Sequence, residues 1–339
     1  MMRLPWFEFH SPRSISEAAK ILAAEGPQAM LIAGGTDLLP NMKRRHQTPA
    51  TLVSLRQIEA LKKAANGSGV TLGAAFTLNE IVANAAVREQ YAGLWQAAAQ
   101  VATVHLRNMG TLGGNLCLDT RCNYYNQNYE WRKAIDFCLK KDGEICWVAT
   151  ASKRCVAASS TDTAPALMSL GATARLVSTQ GERDVALADL YKNDGIDYLT
   201  RRPDEILTEV KLPAPEGWRS SYWKLRRRGA FDFPVLGVAA AVRTASDGTV
   251  EDARIALGAV SSRPFLTKGG ELLIGKKLSD DAIAEAGAKV ASAAKPMDNT
   301  DLDLYWRKAV AAEFVGYALR EIRGDDMSAT RVRIARHAL

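Results

Sequence analysis

The chain has 339 residues, enough for two or three domains, and its 47% apolar and 24% charged residues are typical of a soluble globular protein. No apolar run approaches about eighteen residues and no secretory signal opens the chain, so we expect a cytoplasmic protein without a membrane span. The net charge of +7 is spread along the chain without a basic helix, so we expect no nucleic-acid partner. An acidic protein partner, such as a small electron carrier, remains compatible with this charge.

The first part of the chain, residues 1–57, has the pattern of a small βαβ-like unit. Ser14 and Glu17 have the spacing of a capping box and predict a helix that begins after Ser14. Short apolar runs at 29–33 and 51–55 predict two strands. We therefore predict residues 1–57 to be one N-terminal subdomain.

The rest of the chain divides at a proline-rich stretch, residues 213–217, which is the best linker candidate. Before it, in a second subdomain over residues 58–213, we predict strands over 70–75, 172–178 and 206–212, and helices over 78–88, 91–101 and 164–170. After it, in a domain over residues 214–339, we predict strands over 222–225, 236–244 and 253–260, and helices over 280–294 and 303–322. The pattern predicts an α+β fold.

One long segment, at about 118–160, has no helical or strand periodicity but is rich in aromatic residues, so it is not typical of disorder. It contains four of the five cysteines in the chain: Cys122, Cys138, Cys146 and Cys155. A metal site bound by these four thiolates would explain how the segment becomes ordered. The fifth cysteine, Cys117, is interpreted as a small apolar filler.

Four thiolates suit either an iron–sulfur cluster or a structural zinc ion. Zinc sites usually contain closely spaced cysteine pairs, whereas here fifteen, seven and eight residues separate successive cysteines. The spacing therefore favours an iron–sulfur cluster over zinc, with four unrelated buried cysteines as a third possibility. It does not separate [2Fe–2S] from [4Fe–4S], because both take four cysteines.

Two glycine-rich loops follow predicted regular structure and are candidates for phosphate binding, because successive backbone N–H groups in such turns form anion-binding concavities. Neither loop is a G-x-G-x-x-G motif or a P-loop, which disfavours a Rossmann site and a Walker nucleotidase. The candidates in the first loop are Ile32, Ala33, Gly34, Gly35, Thr36, Asp37 and Leu38. The candidates in the second loop are Thr111, Gly114 and Asn115.

These motifs together resemble the FAD-binding medium subunit of the molybdenum hydroxylase (xanthine oxidase) family. AGGTDLLP at 33–40 and NMGTLGGNL at 108–116 look like the two FAD loops of that family. The resemblance implies a two-part FAD-binding domain of the vanillyl-alcohol-oxidase (PCMH) type, followed by a C-terminal α+β flavoprotein domain. It also implies further FAD contacts at Asp162, Leu207 and Lys224. From the residues alone, Asp162 would be a helix cap and Lys224 a surface lysine.

The cysteine insertion most resembles that of the 4-hydroxybenzoyl-CoA reductase β subunits, which implies a [4Fe–4S] cluster held by the four cysteines. It also implies a large subunit with the molybdenum cofactor and a small subunit with [2Fe–2S] clusters, assembled as a dimer of heterotrimers. The resemblance places no catalytic residue on this chain. The expected role is electron transfer between an external carrier such as ferredoxin, the cluster, FAD and the partner's clusters.

Two alternatives to this reductase remain open. One is the FAD subunit of an oxidative molybdenum hydroxylase that acts on a purine, an aldehyde or an N-heterocycle. The other is a non-catalytic, zinc-stabilised nucleotide-binding protein. Because the glycine loops and the cysteines are separate in sequence, we expect the flavin and cluster sites to be independent, so that replacing Cys138 leaves FAD bound.

Overall fold

The computed structural model describes residues 2–336, which form three β-sheets with helices packed on them. The strands are β1 (Glu8–His10), β2 (Ala29–Ile32), β3 (Thr51–Ser54), β4 (Ala64–Asn66), β5 (Val70–Gly73), β6 (Thr173–Ser178), β7 (Gly181–Ala186), β8 (Ile206–Leu212), β9 (Trp218–Leu225), β10 (Leu236–Thr244), β11 (Val250–Gly258) and β12 (Phe265–Thr267). The α-helices are α1 (Ile15–Glu25), α2 (Leu38–Lys43), α3 (Leu78–Ala83), α4 (Ala85–Gln90), α5 (Ala92–Ala99), α6 (Val104–Arg107), α7 (Leu112–Leu116), α8 (Tyr129–Ala134), α9 (Thr163–Ser169), α10 (Asp280–Ala293), α11 (Leu304–Arg323) and α12 (Ser328–Arg336). Short 3₁₀ turns lie at Gly26–Gln28, Glu59–Lys62, Leu187–Leu190 and Gly270–Leu273.

The N-terminal sheet has the order β1-β3-β2, and both strand pairs are parallel. Helix α1 begins where the sequence predicts, because the Ser14 hydroxyl accepts a hydrogen bond of 3.1 Å from the backbone N–H of Glu17. The reciprocal half of the capping box is absent at this helix, since the Glu17 carboxylate accepts from the backbone of Arg13 instead. The first glycine loop connects β2 to α2.

The middle sheet has the order β4-β5-β8-β6-β7 and is antiparallel throughout. A complete capping box is present at Thr77 and Glu80, but the helix that follows is shorter than predicted. Asn84 ends α3 and caps α4 by accepting a hydrogen bond of 3.0 Å from the Val87 N–H. The predicted helix over 78–88 is therefore two helices, because asparagine favours a cap position over a helix interior.

The C-terminal sheet is an antiparallel meander, β9-β10-β11-β12, and its two faces belong to different hydrophobic cores. Along β10, Val238, Ala240 and Val242 pack into the core formed with α10 and α11. The alternating residues Ala239 and Ala241 pack into the core of the middle region. Because side chains alternate across a strand, β10 joins the C-terminal part of the chain to the middle part through one shared sheet.

The cysteine segment contains one short helix, α8, and is otherwise irregular, as the lack of periodicity predicts. Its two ends are joined by a pair of backbone hydrogen bonds, 2.8 and 2.7 Å long, that Arg121 and Ala158 exchange. The segment is therefore a closed excursion from the middle region. Between residues 2 and 336, no helix has the length and apolarity needed to cross a bilayer.

Candidate cofactor sites

The two glycine loops contact each other directly. A Cβ atom at Gly34 would lie 1.7 Å from the backbone oxygen of Met109, so only glycine allows this approach. Gly35, next in the chain, has φ +71°, which turns the backbone from β2 toward α2. The structure thus brings the first loop, residues 32–38, against the start of the second.

The second loop is fixed to the middle sheet on one side and open on the other. The backbone N–H groups of Leu112 and Gly113 donate to the oxygens of Phe76 and Ala74 at 2.9 and 2.8 Å. The Thr111 hydroxyl accepts from the Gly114 N–H at 3.1 Å. A Cβ at Gly114 would meet only that hydroxyl within 4 Å, at 3.0 Å. The Gly114 side of the loop therefore borders space that a bound group can enter.

The side chain of Asn115 points into the protein rather than into that space. Its carbonyl oxygen accepts from the hydroxyls of Thr161 and Thr163, at 2.9 and 2.7 Å, and from the Thr163 N–H at 3.1 Å. These bonds tie the second loop to the start of α9. Asn115 therefore holds the loop in place through the protein interior.

Asp162 and Lys224 form a buried ion pair, with side chains that are 4% and 0% exposed. The Lys224 ammonium donates to the Asp162 carboxylate at 3.0 Å and to the backbone oxygens of Gln100 and Asp232 at 3.1 and 2.9 Å. The Tyr222 hydroxyl donates to the other carboxylate oxygen of Asp162 at 2.7 Å. Burial raises the pKa of the Asp162 carboxyl and lowers the pKa of the Lys224 ammonium.

Two interpretations made from these residues alone are wrong. Lys224 is not a surface lysine, because its strand β9 is covered on both faces. The side chain of Asp162 does not cap α9; the Thr161 hydroxyl accepts from the Ala164 N–H at 3.3 Å instead. Leu207, on β8, is buried in the core of the middle region opposite Leu176.

The four clustered cysteines line a single cavity. All four are buried and free, and Cys117 lies outside this cavity. The other residues that line it are Tyr124, Tyr125, Leu139, Lys140, Trp147, Val148 and Ala157. The structure therefore brings together the four residues that the sequence singles out, although seven to fifteen residues separate successive members.

A buried positive charge borders the cysteine cavity. The Lys140 ammonium, on a side chain that is 6% exposed, donates to the Asp119 carboxylate at 2.8 Å, the Thr120 hydroxyl at 2.7 Å and the Gly195 oxygen at 2.6 Å. Burial raises the pKa of Cys122 to about 11 and that of Cys155 to about 12. A cation in the cavity would reverse this effect, since metal ligation deprotonates thiols.

The spacing of these side chains does not suit a single ion. Two thiolates on one zinc ion lie at most about 4.6 Å apart, because each Zn–S bond is about 2.3 Å long. Among the side chains described in residues 2–336, no group of three or more cysteine, histidine, aspartate or glutamate residues could hold one metal ion.

A residue that the sequence analysis did not identify joins the two sites. The Arg121 guanidinium forms an ion pair with the Asp37 carboxylate in the first glycine loop and donates to the Asn41 carbonyl oxygen at 3.0 Å. Arg121 directly precedes Cys122 in the chain. Its position beside a candidate ligand is the only signal in the sequence, because contacts between residues so far apart leave no local pattern.

Comparison with known proteins finds two family models that match successive parts of the chain. The family model for the FAD binding domain in molybdopterin dehydrogenase matches residues 5–215, and that for the CO dehydrogenase flavoprotein C-terminal domain matches residues 220–322. The chain is 30% identical to the aldehyde oxidoreductase FAD-binding subunit PaoB of Escherichia coli K12, over 90% of this chain and 96% of that protein. It is 26% identical to the glyceraldehyde dehydrogenase medium chain of Sulfolobus acidocaldarius, over 94% and 99% of the two chains.

A solved structure shows the same fold. The chain superimposes with a TM-score of 0.77 on carbon monoxide dehydrogenase from Hydrogenophaga pseudoflava, at 26% identity, over 94% of this chain and 98% of the other. The predicted α+β fold, a FAD-binding domain followed by a C-terminal flavoprotein domain, is thereby confirmed. With matches over nearly its whole length, the chain belongs to the family of FAD-binding subunits of the molybdopterin-dependent dehydrogenases.

Proposed function

We propose that this chain is the electron-transfer subunit, carrying FAD and a [4Fe–4S] cluster, of an oxidative molybdenum hydroxylase that acts on an aldehyde. In this proposal the substrate site lies on a large molybdenum-cofactor subunit, and a small [2Fe–2S] subunit completes the assembly. The convergence of four cysteines on one cavity, joined through Arg121 to a glycine loop of an FAD-binding fold, carries the proposal. When bound, FAD supplies one- and two-electron exchange and the cluster one-electron exchange.

The contact between the two glycine loops supports the FAD site. We propose that residues 32–38 and 111–115 hold the diphosphate of FAD, with the open side of Gly114 toward it. Asp162 and Lys224 are proposed to border the same site from the α9 and C-terminal side, and Leu207 from β8 of the middle sheet. The Asp162–Lys224 pair is satisfied by protein groups alone, so its role toward FAD would be to shape a rigid wall rather than to supply a free charge.

The cysteine cavity supports the cluster. Cys122, Cys138, Cys146 and Cys155 are the proposed ligands, and the Lys140 ammonium lies where it would offset negative charge on four thiolates. The [4Fe–4S] type is retained from the resemblance of the cysteine insertion, because four cysteines bind either cluster type. Zinc is disfavoured because, among the described residues, no group of three or more candidate ligands could hold one ion. The zinc-stabilised nucleotide-binding protein loses support for the same reason.

The direction of electron flow is proposed to be outward, which differs from the reductase expected from the cysteine insertion. The similar proteins reported above are named as an aldehyde oxidoreductase or as dehydrogenases, and none of them is named a reductase of an acyl-CoA. Two of them are named for aldehyde substrates, and on that ground aldehydes are the substrate class proposed here. We also propose that ferredoxin accepts the electrons rather than donating them, and that the complex is a dimer of heterotrimers. The chain itself is proposed to divide into units 1–57, 58–213 and 214–339.

Metal and flavin analysis of the purified chain tests the cofactor proposal. We expect one FAD, about four irons and no stoichiometric zinc per chain. A colourless protein loaded with zinc would overturn both cofactor assignments, and a flavoprotein without iron would overturn the cluster alone.

The direction of electron flow needs the assembled complex. We expect aldehydes to bleach the flavin absorbance anaerobically in the complex co-expressed with its partner subunits. If purines or N-heterocycles bleach it instead, the substrate class is wrong. If none of these bleaches it but reduced ferredoxin does, the electrons run inward.

A further inference from the structure

We propose that Arg121 is a positioning residue that couples cluster ligation to flavin binding. The inference rests on the proposed function, because it presumes that both cofactors occupy this chain. The two sites would share one partly buried ion pair, Arg121–Asp37. The cysteines and the glycine loops would then bind their cofactors cooperatively rather than independently.

The side chain of Arg121 forms the connection. It is 7% exposed, and its guanidinium is divided between the Asp37 carboxylate and the Asn41 carbonyl oxygen. Asp37 is in the first glycine loop, and Asn41 lies one helical turn later in α2. An arginine remains charged in proteins, so withdrawing it from Asp37 would leave a charge with reduced pairing in a site of low solvent access. The position of Arg121 and the position of the glycine loop are therefore linked energetically.

The backbone of Arg121 is fixed by the insertion itself. The reciprocal hydrogen bonds to Ala158 close the excursion just outside the first and last candidate ligands, Cys122 and Cys155. A group bound by all four cysteines would hold these two ends together. Ligation therefore favours the backbone position in which the Arg121 side chain reaches Asp37.

A second contact strengthens the link. The backbone N–H of Asp119 donates to the Asp37 carboxylate at 3.4 Å, so two residues of the same short stretch contact one carboxylate. The side chain of Asp119 in turn pairs with Lys140, which lines the cysteine cavity. Lys140, Asp119 and Asp37 therefore form a continuous chain of contacts from the cavity to the first glycine loop.

The C-terminal part of the chain also contacts Arg121. The Phe233 ring lies 5.0 Å from the guanidinium carbon, within the range of a cation–π contact. The neighbouring residue Asp232 accepts a hydrogen bond from Lys224 through its backbone oxygen. A shift of Arg121 would therefore act on both the N-terminal loop and the C-terminal segment that border the proposed flavin site.

Coupling of this kind is reciprocal: if the cluster raises FAD affinity by some factor, FAD raises cluster affinity by the same factor. Couplings between sites commonly lie in the range of about 5- to 150-fold. We expect loss of the cluster to weaken FAD binding about tenfold, in contrast to the independence expected from the sequence. Loss of the cluster should no longer weaken FAD binding once the Asp37–Arg121 pair is removed.

A double-mutant cycle on the full chain tests the proposal, with the FAD dissociation constant measured by flavin fluorescence. Cys138→Ser removes the cluster, Arg121→Gln removes the ion pair, and the double variant carries both changes. Cys138→Ser should weaken FAD binding about tenfold when Arg121 is present and less than about twofold when it is absent. Arg121→Lys, which keeps a charge beside Asp37, should restore part of the coupling.

Arg154 provides the matched control. It precedes Cys155 as Arg121 precedes Cys122, but its side chain is exposed and donates to the backbone oxygen of Asn193. Arg154→Gln should leave the effect of Cys138→Ser at about tenfold. If Arg121→Gln does not fold, Asp37→Asn removes the same pair and completes the cycle.

Equal weakening of FAD binding by Cys138→Ser in both backgrounds, or no weakening in either, would overturn the coupling while leaving both cofactors assigned. A wild-type chain that contains no iron or no flavin would instead overturn the proposed function. The two failures are therefore distinguishable by the cofactor content of the wild-type protein.

Discussion

The ammonium of Lys224 and the carboxylate of Asp162 lie 3.0 Å apart in the interior, where the C-terminal sheet packs against the start of α9. Burial alone disfavours both charges, as the raised pKa of Asp162 and the lowered pKa of Lys224 indicate. The pair persists because each charge is the main compensation for the other. It therefore joins the two parts of the chain only while both partners are present.

Removing one partner should cost more than removing both. We expect Lys224→Met to lower the free energy of unfolding by about 3–5 kcal/mol, because it leaves the Asp162 carboxylate buried with Tyr222 as its remaining side-chain partner. The double variant Lys224→Met/Asp162→Asn should recover most of that loss. Urea unfolding of the three proteins measures the difference, and a double variant as unstable as the single one would contradict it.

The penalty of Lys224→Met should also depend on pH. In the wild type the Lys224 ammonium opposes the burial that raises the pKa of Asp162, so Lys224→Met should raise this folded pKa further. The penalty from this group is smallest below the wild-type folded pKa and grows as the pH rises through the higher folded pKa of the variant. We expect a smaller loss of stability at pH 5 than at pH 8, and a loss that is constant over this range would contradict the assignment.

The cysteines offer a matched pair of variants. Cys146→Ser removes a residue that lines the cavity, whereas Cys117→Ser removes a cysteine outside it. We expect Cys146→Ser to lose most of the iron and the broad visible absorption of the cluster, and Cys117→Ser to keep both. Iron analysis and absorption spectra of the two folded variants test this expectation. Retention of full iron content in Cys146→Ser would exclude it as a ligand.

Much of the fold can be predicted from the sequence, because its regular elements bury a periodic apolar face. The sequence predicts β8 over 206–212 and β10 over 236–244 with the same bounds that the structure has. Strands β1 and β7 cannot be predicted this way. They lie at sheet edges with largely exposed side chains, so backbone pairing rather than an apolar pattern holds them in place.

The residues of the candidate sites also fall into two groups, those that the sequence identifies and those that only the fold reveals. The glycines and cysteines are identifiable because their chemistry is specific to the residue type. The Arg121–Asp37 and Lys224–Asp162 pairs are not, since each joins residues that lie more than sixty positions apart. A buried charge and an exposed charge look the same in a sequence, and only the fold shows which lysine or arginine has lost its solvent.

We expect similar substitutions in the two glycine loops to have different effects on stability and flavin binding. Gly114→Ala adds a methyl group on the open side of the second loop, where only the Thr111 hydroxyl is close, so we expect a folded protein with FAD affinity reduced at least about tenfold. Gly34→Ala places a methyl group onto the backbone of Met109, so we expect loss of stability as well as of flavin. Thermal unfolding of the flavin-free proteins separates the effects. Unchanged flavin binding in Gly114→Ala, or in the bulkier Gly114→Val, would show that the open side does not face the cofactor.

His46 gives a pH dependence whose sign the structure determines. The ring is 3% exposed, stacks on Tyr125 with centroids 4.4 Å apart, and bonds through Nε2 to the backbone oxygen of Gln127 at 3.1 Å. Burial lowers the pKa of His46 from its usual 6.5 to about 4; repulsion from Arg132 and Arg44 adds to this, while the Gln127 carbonyl and Asp119 oppose it.

Because the folded pKa of His46 lies below the unfolded one, the unfolded state binds more protons between pH 6.5 and about 4. The stability that neutral His46 contributes is full above pH 6.5 and is lost as the pH falls through this window. At pH 5 the loss amounts to about 2 kcal/mol for this single group.

His46→Gln keeps a side-chain donor for the Gln127 oxygen but does not titrate. We therefore expect the difference in unfolding free energy between wild type and His46→Gln to shrink by about 2 kcal/mol from pH 7 to pH 5. All other titrating groups, and any acid lability of a bound cluster, are common to both proteins, so a difference that stays constant with pH would show that His46 is not held neutral by burial.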